Sequence, residues 1–550
     1  VFAVAGASHT HVLDPLDRAG VAIISNRHEA GAVGAADGYA RVSSKTGVAL
    51  IVADQGLPNS LGALAVAWHA QSPVLVLVAC PPRNFVEADR AIDQDQLALV
   101  TPITKWARTV PSAERLADYL QTALKHAHAG RRGPVVLLVP EDIFQAEVSQ
   151  TLPAPDPVPS APLPGAADIA AAADILAAAQ RPIVVAGAGT AWSNSGASLA
   201  AMSAEFSIPV FANSLGRGQV PEDNKLSFSW PYAQIAANQA DVVLVVGARL
   251  TQRLGLGLPP RFSPTAKFIQ IDIDPAAFHR NRPVQVALQA DATLAIDAIS
   301  TALRDRNTGA YSTAWLTSAL QSRRQRLHEI GNSKTAKIHP LQLGNAIMER
   351  LGTDTQIVGD GADIQTWMYG AIDVRRPRGF IDHYPMGAMG CGTALAVGAA
   401  TSHKENDSDD TPAVVLITGD GAIGFHPAEI HAAVRAGLHL IVIVGNDGAW
   451  GTELHGQMEA IGRGINTELD ALPYEKLGEA FGATGIAIHS PDELGPSLDR
   501  AFAAAGVTVV NVMIDPDAGR ELKTNPDVRM ILFSDILDGQ ENLDSLNAET

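Results

Sequence analysis

The stretch "GDGAIGFHPAEIHAAVRAGLHLIVIVGNDGAWG", residues 419–451, places acidic residues directly behind two successive apolar runs. Asp420 follows the first run, and the turn of Asn446 and Asp447 follows the second. Between the runs, apolar residues recur every four positions, which predicts a helix with one buried stripe. The stretch therefore predicts a strand, a helix and a second strand of a parallel sheet.

Both acidic positions are expected at one edge of that sheet, because crossovers between parallel strands are right-handed. Asp420 and Asp447 would then need a cation between them. Carboxylate and carbonyl oxygens suit Mg²⁺, which usually keeps a phosphate as a further ligand. The N–H groups of the helix that starts at Gly421 would face the same anion. Either acidic tripeptide alone is a common turn sequence, but the pair at this separation favours a metal that anchors a diphosphate.

This arrangement resembles the signature of the thiamine-diphosphate (ThDP) enzyme superfamily, which is Gly-Asp-Gly, some two dozen residues, then Asn-Asn. The resemblance implies Mg²⁺ ligation by Asp420, Asp447 and the backbone carbonyl of Ala449. Asp447 stands where the family usually has asparagine, which adds a negative charge. The same match implies that four further residues contact the cofactor: Gly419, Gly421, Ala422 and Asn446.

A second match, "SNRHEAGAVGAADGYAR", resembles the family's Arg-His-Glu segment. It implies that Glu29 activates the cofactor. A carboxyl group partly excluded from water is suited to share a proton with the aminopyrimidine ring. Without the magnesium motif, such a glutamate would be read as a solvated helix residue.

Two further loops resemble cofactor contacts in the family. "HYPMGAMGCGTALAVGAA" is similar to the loop under the thiazolium ring in benzaldehyde lyase and acetolactate synthase, which implies that Met389 wedges the cofactor. A core methionine is the alternative. "GDGAD" ends another predicted strand, which implies that Gly361 and Ala362 present amides to the diphosphate.

The residues in these motifs limit the classes of ThDP reaction that we expect of the protein. No adjacent His-His pair occurs, which disfavours simple decarboxylation of pyruvate. Resemblance to benzaldehyde lyase implies that His383 passes a hydroxyl proton, although a core histidine is the alternative. Glu453 would act as a base on a 2-hydroxyl group, or it is a solvated surface glutamate. Ser8 stands where that lyase has another histidine.

We therefore expect a ThDP- and Mg²⁺-dependent lyase or carboligase that forms or cleaves 2-hydroxy ketones, with a 2-oxo acid as another donor. The segment "IDPDAGRELKTNP" also resembles oxalyl-CoA decarboxylase and 2-hydroxyacyl-CoA lyase, which leaves acyl-CoA thioesters open as substrates. A catalytically silent scaffold of the same fold is a third reading.

Composition bounds the partners. The 550 residues are 47% hydrophobic and 18% charged, with a formal charge of −18, which argues against nucleic acid or an anionic membrane as a partner. Two cysteines fit a reducing, cytoplasmic setting. The chain opens at Val1 inside a predicted strand, so we expect residues to precede it.

The predicted fold is α/β, with three open parallel-sheet domains. Apolar runs alternating with helical segments give a pyrimidine-binding domain at residues 1–150, a central dinucleotide-type domain at 166–335 and a diphosphate-binding domain at 336–516. A proline-rich linker occupies 151–165, and a tail or lid occupies 517–550.

The resemblance also has consequences for assembly and for the central domain. It implies a homodimer or homotetramer in which Glu29 of one chain meets Asp420 of another. The central domain binds FAD in acetolactate synthase and ADP in the CoA enzymes, and it is empty in benzaldehyde lyase. Either nucleotide is therefore open.

Overall fold

The described part of the chain forms three parallel sheets of six strands each. The computed structural model describes residues 1–88, 95–148, 160–405, 414–525 and 527–528. Within these ranges, no helix is both long and apolar enough to cross a membrane. The predicted fold class is confirmed, because each sheet is parallel and is covered by helices.

The N-terminal sheet has the strand order β2-β1-β3-β4-β6-β5. Its strands are β1 Phe2–Ala3, β2 Ile24–Ser25, β3 Gly47–Ile51, β4 Val74–Cys80, β5 Trp106–Thr109 and β6 Val135–Pro140. Its helices are α1 Thr10–Arg18, α2 Glu29–Ser43, α3 Gly56–Ala70, α4 Gln96–Val100, α5 Leu116–His128 and α6 Glu141–Phe144. The central strands are apolar on both faces because helices bury both sides.

The central sheet has the order β12-β11-β10-β7-β8-β9. Its strands are β7 Pro182–Ala186, β8 Val210–Ala212, β9 Ser227–Ser229, β10 Val242–Val246, β11 Lys267–Asp272 and β12 Val286–Gln289. Its helices are α7 Ala166–Ala177, α8 Ala188–Trp192, α9 Gly196–Phe206, α10 Trp230–Ala233, α11 Ala292–Asp305 and α12 Ala314–Gly331. The chain runs outward in opposite directions from β7 and from β10, which makes the gap between them a topological switch point.

The C-terminal sheet has the order β14-β13-β15-β16-β18-β17. Its strands are β13 Gln356–Gly359, β14 Phe380–Asp382, β15 Val414–Gly419, β16 Leu440–Asn446, β17 Thr484–Ile488 and β18 Val507–Met513. Its helices are α13 Pro340–Met348, α14 Asp363–Ala371, α15 Gly392–Lys404, α16 Asp420–Ile423, α17 Glu429–Arg435, α18 Gly451–Ile461, α19 Tyr474–Ala480, α20 Pro491–Ala503 and α21 Gly519–Thr524.

The N-terminal and C-terminal domains share one hydrophobic core through helices α2 and α15. The helices approach so closely that a Cβ on Gly38 would overlap the carbonyl oxygen of Leu395. A Cβ on Gly398 would likewise overlap the carbonyl oxygen of Ala35. Glycine at the crossing thus lets two backbones from distant parts of the chain touch.

The predicted domain boundaries stay predictions. In the proposed linker, residues 160–165 form neither helix nor strand, and residues 151–159 lie outside the described residues. The segment expected to be a tail or lid contains helix α21, and residues 529–550 lie outside the described residues.

Candidate functional site

Strands β15 and β16 bring the two acidic motifs to one edge of the C-terminal sheet. The strands are parallel neighbours, and Gly419 pairs with Gly445 at their ends. Asp420 therefore begins α16 beside the turn of Asn446 and Asp447 that closes β16. The parallel pairing expected from the sequence, with both acidic motifs at one edge, is the one that the fold adopts.

Asp420 is held from three sides. Its Oδ1 accepts a hydrogen bond from the backbone N–H of Gly421 at 2.8 Å, and its Oδ2 accepts one from the N–H of Gly448 at 2.8 Å. The hydroxyl of Tyr474 donates to the backbone carbonyl of Asp420 at 3.0 Å. With 2% of its surface exposed, the residue has a fixed orientation.

The two carboxyl groups lie close enough to affect each other's ionisation. Burial, and then the neighbouring Asp447, raise the pKa of Asp420 to about 7. Burial also raises the pKa of Asp447. A buried carboxyl group and a half-buried one beside it cannot both ionise cheaply without a positive charge nearby. An oxygen-rich pair of this kind fits a hard divalent cation such as Mg²⁺.

The pair faces a cavity into which most of the predicted cofactor contacts project. Ten of the predicted residues line it, and they are Gly361, Ala362, Met389, Gly419, Asp420, Gly421, Ala422, Asp447, Ala449 and Glu453. Three predicted residues, Glu29, His383 and Asn446, are not among its lining residues in the described part of the chain. The sequence-based site thus converges on one place, with three exceptions.

Two positions in the backbone around the cavity require glycine. Gly361 has a φ of +89°, a conformation that residues with a side chain rarely adopt. A Cβ on Gly421 would lie 2.5 Å from the ring of Trp450. Both loops therefore present main-chain atoms to the cavity, which suits recognition of a phosphate by N–H groups.

The side chain of Asn446 makes its hydrogen bonds inside the C-terminal domain. Its side-chain amide donates to the carbonyl oxygen of Leu472 at 2.9 Å and to Oδ1 of Asn511 at 3.0 Å. Its Oδ1 accepts from the N–H of Gly448 at 3.2 Å. The contacts stabilise the turn that carries Asp447, and direct cofactor binding by Asn446 stays a prediction.

Glu29 lies in the other cofactor domain, at the first residue of α2. It is 7% exposed, and its Oε2 accepts a hydrogen bond from the side-chain amide of Asn59 at 3.1 Å. The residues that line the Asp420 cavity within the described chain all follow residue 360. Glu29 is therefore not part of the wall of the Asp420 cavity in the described part of the chain.

His383 is 1% exposed, and its Nδ1 lies 3.4 Å from Oδ1 of Asp360. Burial lowers its pKa, which keeps the ring neutral. Asp360 also accepts hydrogen bonds from the N–H groups of Gly361 at 2.7 Å, Gly390 at 3.2 Å and Gly392 at 2.7 Å. His383 thus touches the residue that ties together the two predicted cofactor loops, and its role as a proton carrier stays a prediction.

Sequence reasoning missed Asp360, Trp450 and Glu429. Asp360 stands inside the quoted "GDGAD" motif, and Glu429 lies within the opening stretch, so both were visible as acidic residues at the start of a helix or the end of a strand. Their burial, at 1% exposure each, could not be read from spacing. Trp450 also lies in the opening stretch, but no motif there assigned it a role.

Comparison with known proteins agrees with this architecture. Three profiles match in order: the N-terminal binding domain of thiamine pyrophosphate (ThDP) enzymes at residues 1–99, their central domain at 169–299, and their C-terminal binding domain at 360–512. Each segment covers most of the strands of one of the three sheets.

Whole-chain relatives are similar along their full length. A probable acetolactate synthase of Mycobacterium bovis is 31% identical over 96% of this chain and 94% of its own. The oxalyl-CoA decarboxylase of Escherichia coli K12 is 29% identical over the same shares. A putative thiamin diphosphate-dependent enzyme from Mycobacterium smegmatis has the same fold, with a TM-score of 0.79 at 21% identity over 94% of this chain and 96% of its own. The chain therefore belongs to the family of thiamine-diphosphate-dependent enzymes.

Proposed function

We propose that the protein is a ThDP- and Mg²⁺-dependent lyase or carboligase that forms or cleaves 2-hydroxy ketones. The observation that carries this proposal is the pair of buried Asp420 and half-buried Asp447 at adjacent strand ends, facing a cavity bordered by Met389 and Glu453. Similarity to an acetolactate synthase supports the 2-hydroxy ketone class.

Each residue has a distinct task in this proposal. The bound cofactor would supply a nucleophilic carbon that stabilises an acyl carbanion. Asp420, Asp447 and the carbonyl of Ala449 would hold the metal that anchors its diphosphate, while Met389 would support its ring system. Glu453, exposed at the cavity rim, would take the proton of the substrate's 2-hydroxyl group as the carbon–carbon bond breaks.

A second chain would complete the site. The cavity holds about 50 Å³, whereas ligand pockets typically hold roughly 300–1,000 Å³. Helix α18 leads from the cavity into exposed apolar side chains, each at least 40% exposed, and they include Met458, Ile461, Ile465 and Leu472. Exposed apolar surface of this kind marks an interface. We propose a dimer in which Glu29 of the second chain faces Asp420.

Acyl-CoA thioesters are the second candidate substrates, because the E. coli oxalyl-CoA decarboxylase is nearly as similar as the acetolactate synthase. The two candidates predict different products. A carboligase would convert two molecules of pyruvate to one 2-hydroxy-2-methyl-3-oxo acid and CO₂, whereas an acyl-CoA lyase would cleave a 2-hydroxyacyl-CoA to an aldehyde and formyl-CoA.

In the deciding experiment, the protein is reconstituted with ThDP and Mg²⁺. It is then mixed separately with ¹³C-labelled pyruvate, a 2-hydroxy ketone or a 2-hydroxyacyl-CoA. We expect labelled hydroxy-keto acid or ketone cleavage by NMR, and no product when Mg²⁺ is removed by a chelator. Exclusive turnover of the thioester would move the assignment to the acyl-CoA class. Binding of ThDP without turnover of any donor would refute both.

We also propose that the central domain binds ADP or FAD. A cavity of about 800 Å³ opens at the switch point of the central sheet, between Gly189 and Gly247. Asp272 ends β11 in its wall, where an acidic group suits ribose hydroxyls. Arg131 and Arg132 reach in from the N-terminal domain. Nε of Arg131 is buried without a hydrogen-bond partner among the described residues, as expected of a group that awaits a phosphate.

Nucleotide binding can be measured without activity. Acid extracts of the purified protein, analysed by liquid chromatography, are expected to contain ADP or FAD, or the protein is expected to bind one of them in calorimetric titration. Arg131→Ala is expected to weaken that affinity at least about tenfold, as loss of a charge-assisted hydrogen bond does. The matched control is Arg115→Ala, which removes an exposed arginine from the N-terminal domain, where Arg131 also lies. No affinity for either nucleotide would refute the proposal.

A further inference from the structure

A buried carboxylate from the C-terminal domain lies at the start of the helix that carries Glu29. Glu429 begins helix α17 and is 1% exposed. Its Oε2 accepts a hydrogen bond from the side-chain amide of Asn26 at 2.8 Å. Its Oε1 accepts from the backbone N–H groups of Arg27 at 3.0 Å and His28 at 3.2 Å. All three donors belong to the segment that enters α2.

This contact holds the chain just before α2, because Arg27 precedes the helix and His28 is its N-cap residue. The first N–H groups of a helix have no acceptor within it, and a carboxylate placed there is favoured by hydrogen bonding and by the helix dipole. Burial raises the pKa of Glu429, but the three donors stabilise its ionised form. The carboxylate therefore fixes the direction in which α2 leaves the sheet.

A neighbouring glycine shows how tight the fit is. A Cβ on Gly31 would overlap Oε1 of Glu429. The first turn of α2 is thus pressed directly onto this carboxylate, with Glu29 between the two contact points in the sequence. A displacement of about 1 Å at such a turn is enough to cost roughly 100-fold in rate when the turn carries a reacting group.

We propose that Glu429 is a positioning residue that sets the orientation of Glu29 from the opposite domain. The inference rests on the proposed activating role of Glu29. Glu429 lies nine residues beyond Asp420 on the same strand-end segment, so the diphosphate domain itself would orient the pyrimidine half-site of its own chain. In a dimer, that half-site serves the partner's Asp420 cavity.

The test compares Glu429→Ala with Glu429→Gln and with a control on the same helix. Glutamine keeps an acceptor for Arg27 and His28, and the Asn26 amide can rotate to accept its N–H₂, because Oδ1 of Asn26 has no partner among the described residues. Tyr39→Phe removes another contact between the same domains, the 2.7 Å bond to Glu405, ten residues along α2. Gly31→Ala displaces the carboxylate without removing it.

Two readouts separate this inference from the proposed function. Hydrogen exchange of a peptide spanning residues 24–32 reports the N–H bonds without any cofactor, and we expect faster exchange in Glu429→Ala and Gly31→Ala only. In the reconstituted enzyme, we expect kcat of these two variants to fall about 10- to 100-fold, with little change in KM. We also expect them to lose the near-ultraviolet circular dichroism signal of the bound aminopyrimidine. Glu429→Gln should stay within a few-fold of the parent.

Unchanged exchange in Glu429→Ala and Gly31→Ala would overturn the inference whatever the protein catalyses. Equal losses in Tyr39→Phe would also overturn it, because the effect would then belong to domain docking. Faster exchange in a protein that shows no ThDP-dependent activity would leave the contact established and refute the function on which the positioning role rests.

Discussion

Replacement of Glu29 by glutamine is expected to lower kcat by about 100- to 10,000-fold while ThDP still binds. Glutamine keeps the volume and an acceptor for the Asn59 amide, so the local hydrogen bond survives. It cannot share a proton with a ring nitrogen, and that proton is what activation of the cofactor requires. The measurement is steady-state turnover together with exchange of the cofactor's C2 proton in D₂O, quenched by acid.

The control for this substitution is Glu114→Gln, which neutralises an exposed carboxylate of the same domain. It is expected to leave turnover and proton exchange unchanged. Parent-like exchange in Glu29→Gln would contradict the assignment of Glu29 as the activating group, and loss of ThDP binding would show that its role is structural.

Asparagine substitutions at the two metal positions are expected to have unequal effects. Asp420→Asn should weaken Mg²⁺-dependent ThDP binding by at least about 100-fold, because loss of a group that only supports a metal ligand already costs about 10- to 100-fold. Asp447→Asn should cost no more than several-fold, since its amide oxygen remains a ligand and asparagine is the usual family residue. Removing the charge of Asp447 also relieves the repulsion that, together with the larger effect of burial, raises the pKa of Asp420.

Calorimetric titration of ThDP at several Mg²⁺ concentrations checks both variants. A chelator should abolish binding in the parent and in Asp447→Asn. Equal losses in both variants would show that two carboxylates are required. Unchanged binding in Asp420→Asn would show that the metal does not bind at this edge of the sheet.

The sequence alone predicts the central strands of each sheet but not edge strands such as β5 and β17. Buried parallel strands are continuous apolar runs, as in residues 440–444, so their pattern is local. Edge strands such as β5 and β17 are half-exposed and mix polar with apolar residues, which gives no distinct period. Their existence depends on a neighbour strand elsewhere in the chain.

The candidate site likewise contains residues that can be predicted from the sequence and residues that cannot. Asp420, Asp447 and the glycine turns were predictable because the chemistry needs fixed residue types at a fixed separation. The burial of His383 against Asp360, and of Glu429 against Asn26, joins residues that are distant in the sequence. No spacing rule reports such pairs, since they arise from the packing of whole domains.

The glycine-lined crossing of α2 and α15 has a consequence for synthesis of the chain on the ribosome. Gly38 and Gly398 are 360 positions apart, and at about 5–20 residues per second the second helix emerges roughly 20–70 s after the first. During that interval the contact face of α2 has no partner within the nascent chain. The N-terminal domain must therefore wait, partly uncovered, while the central domain is translated in full.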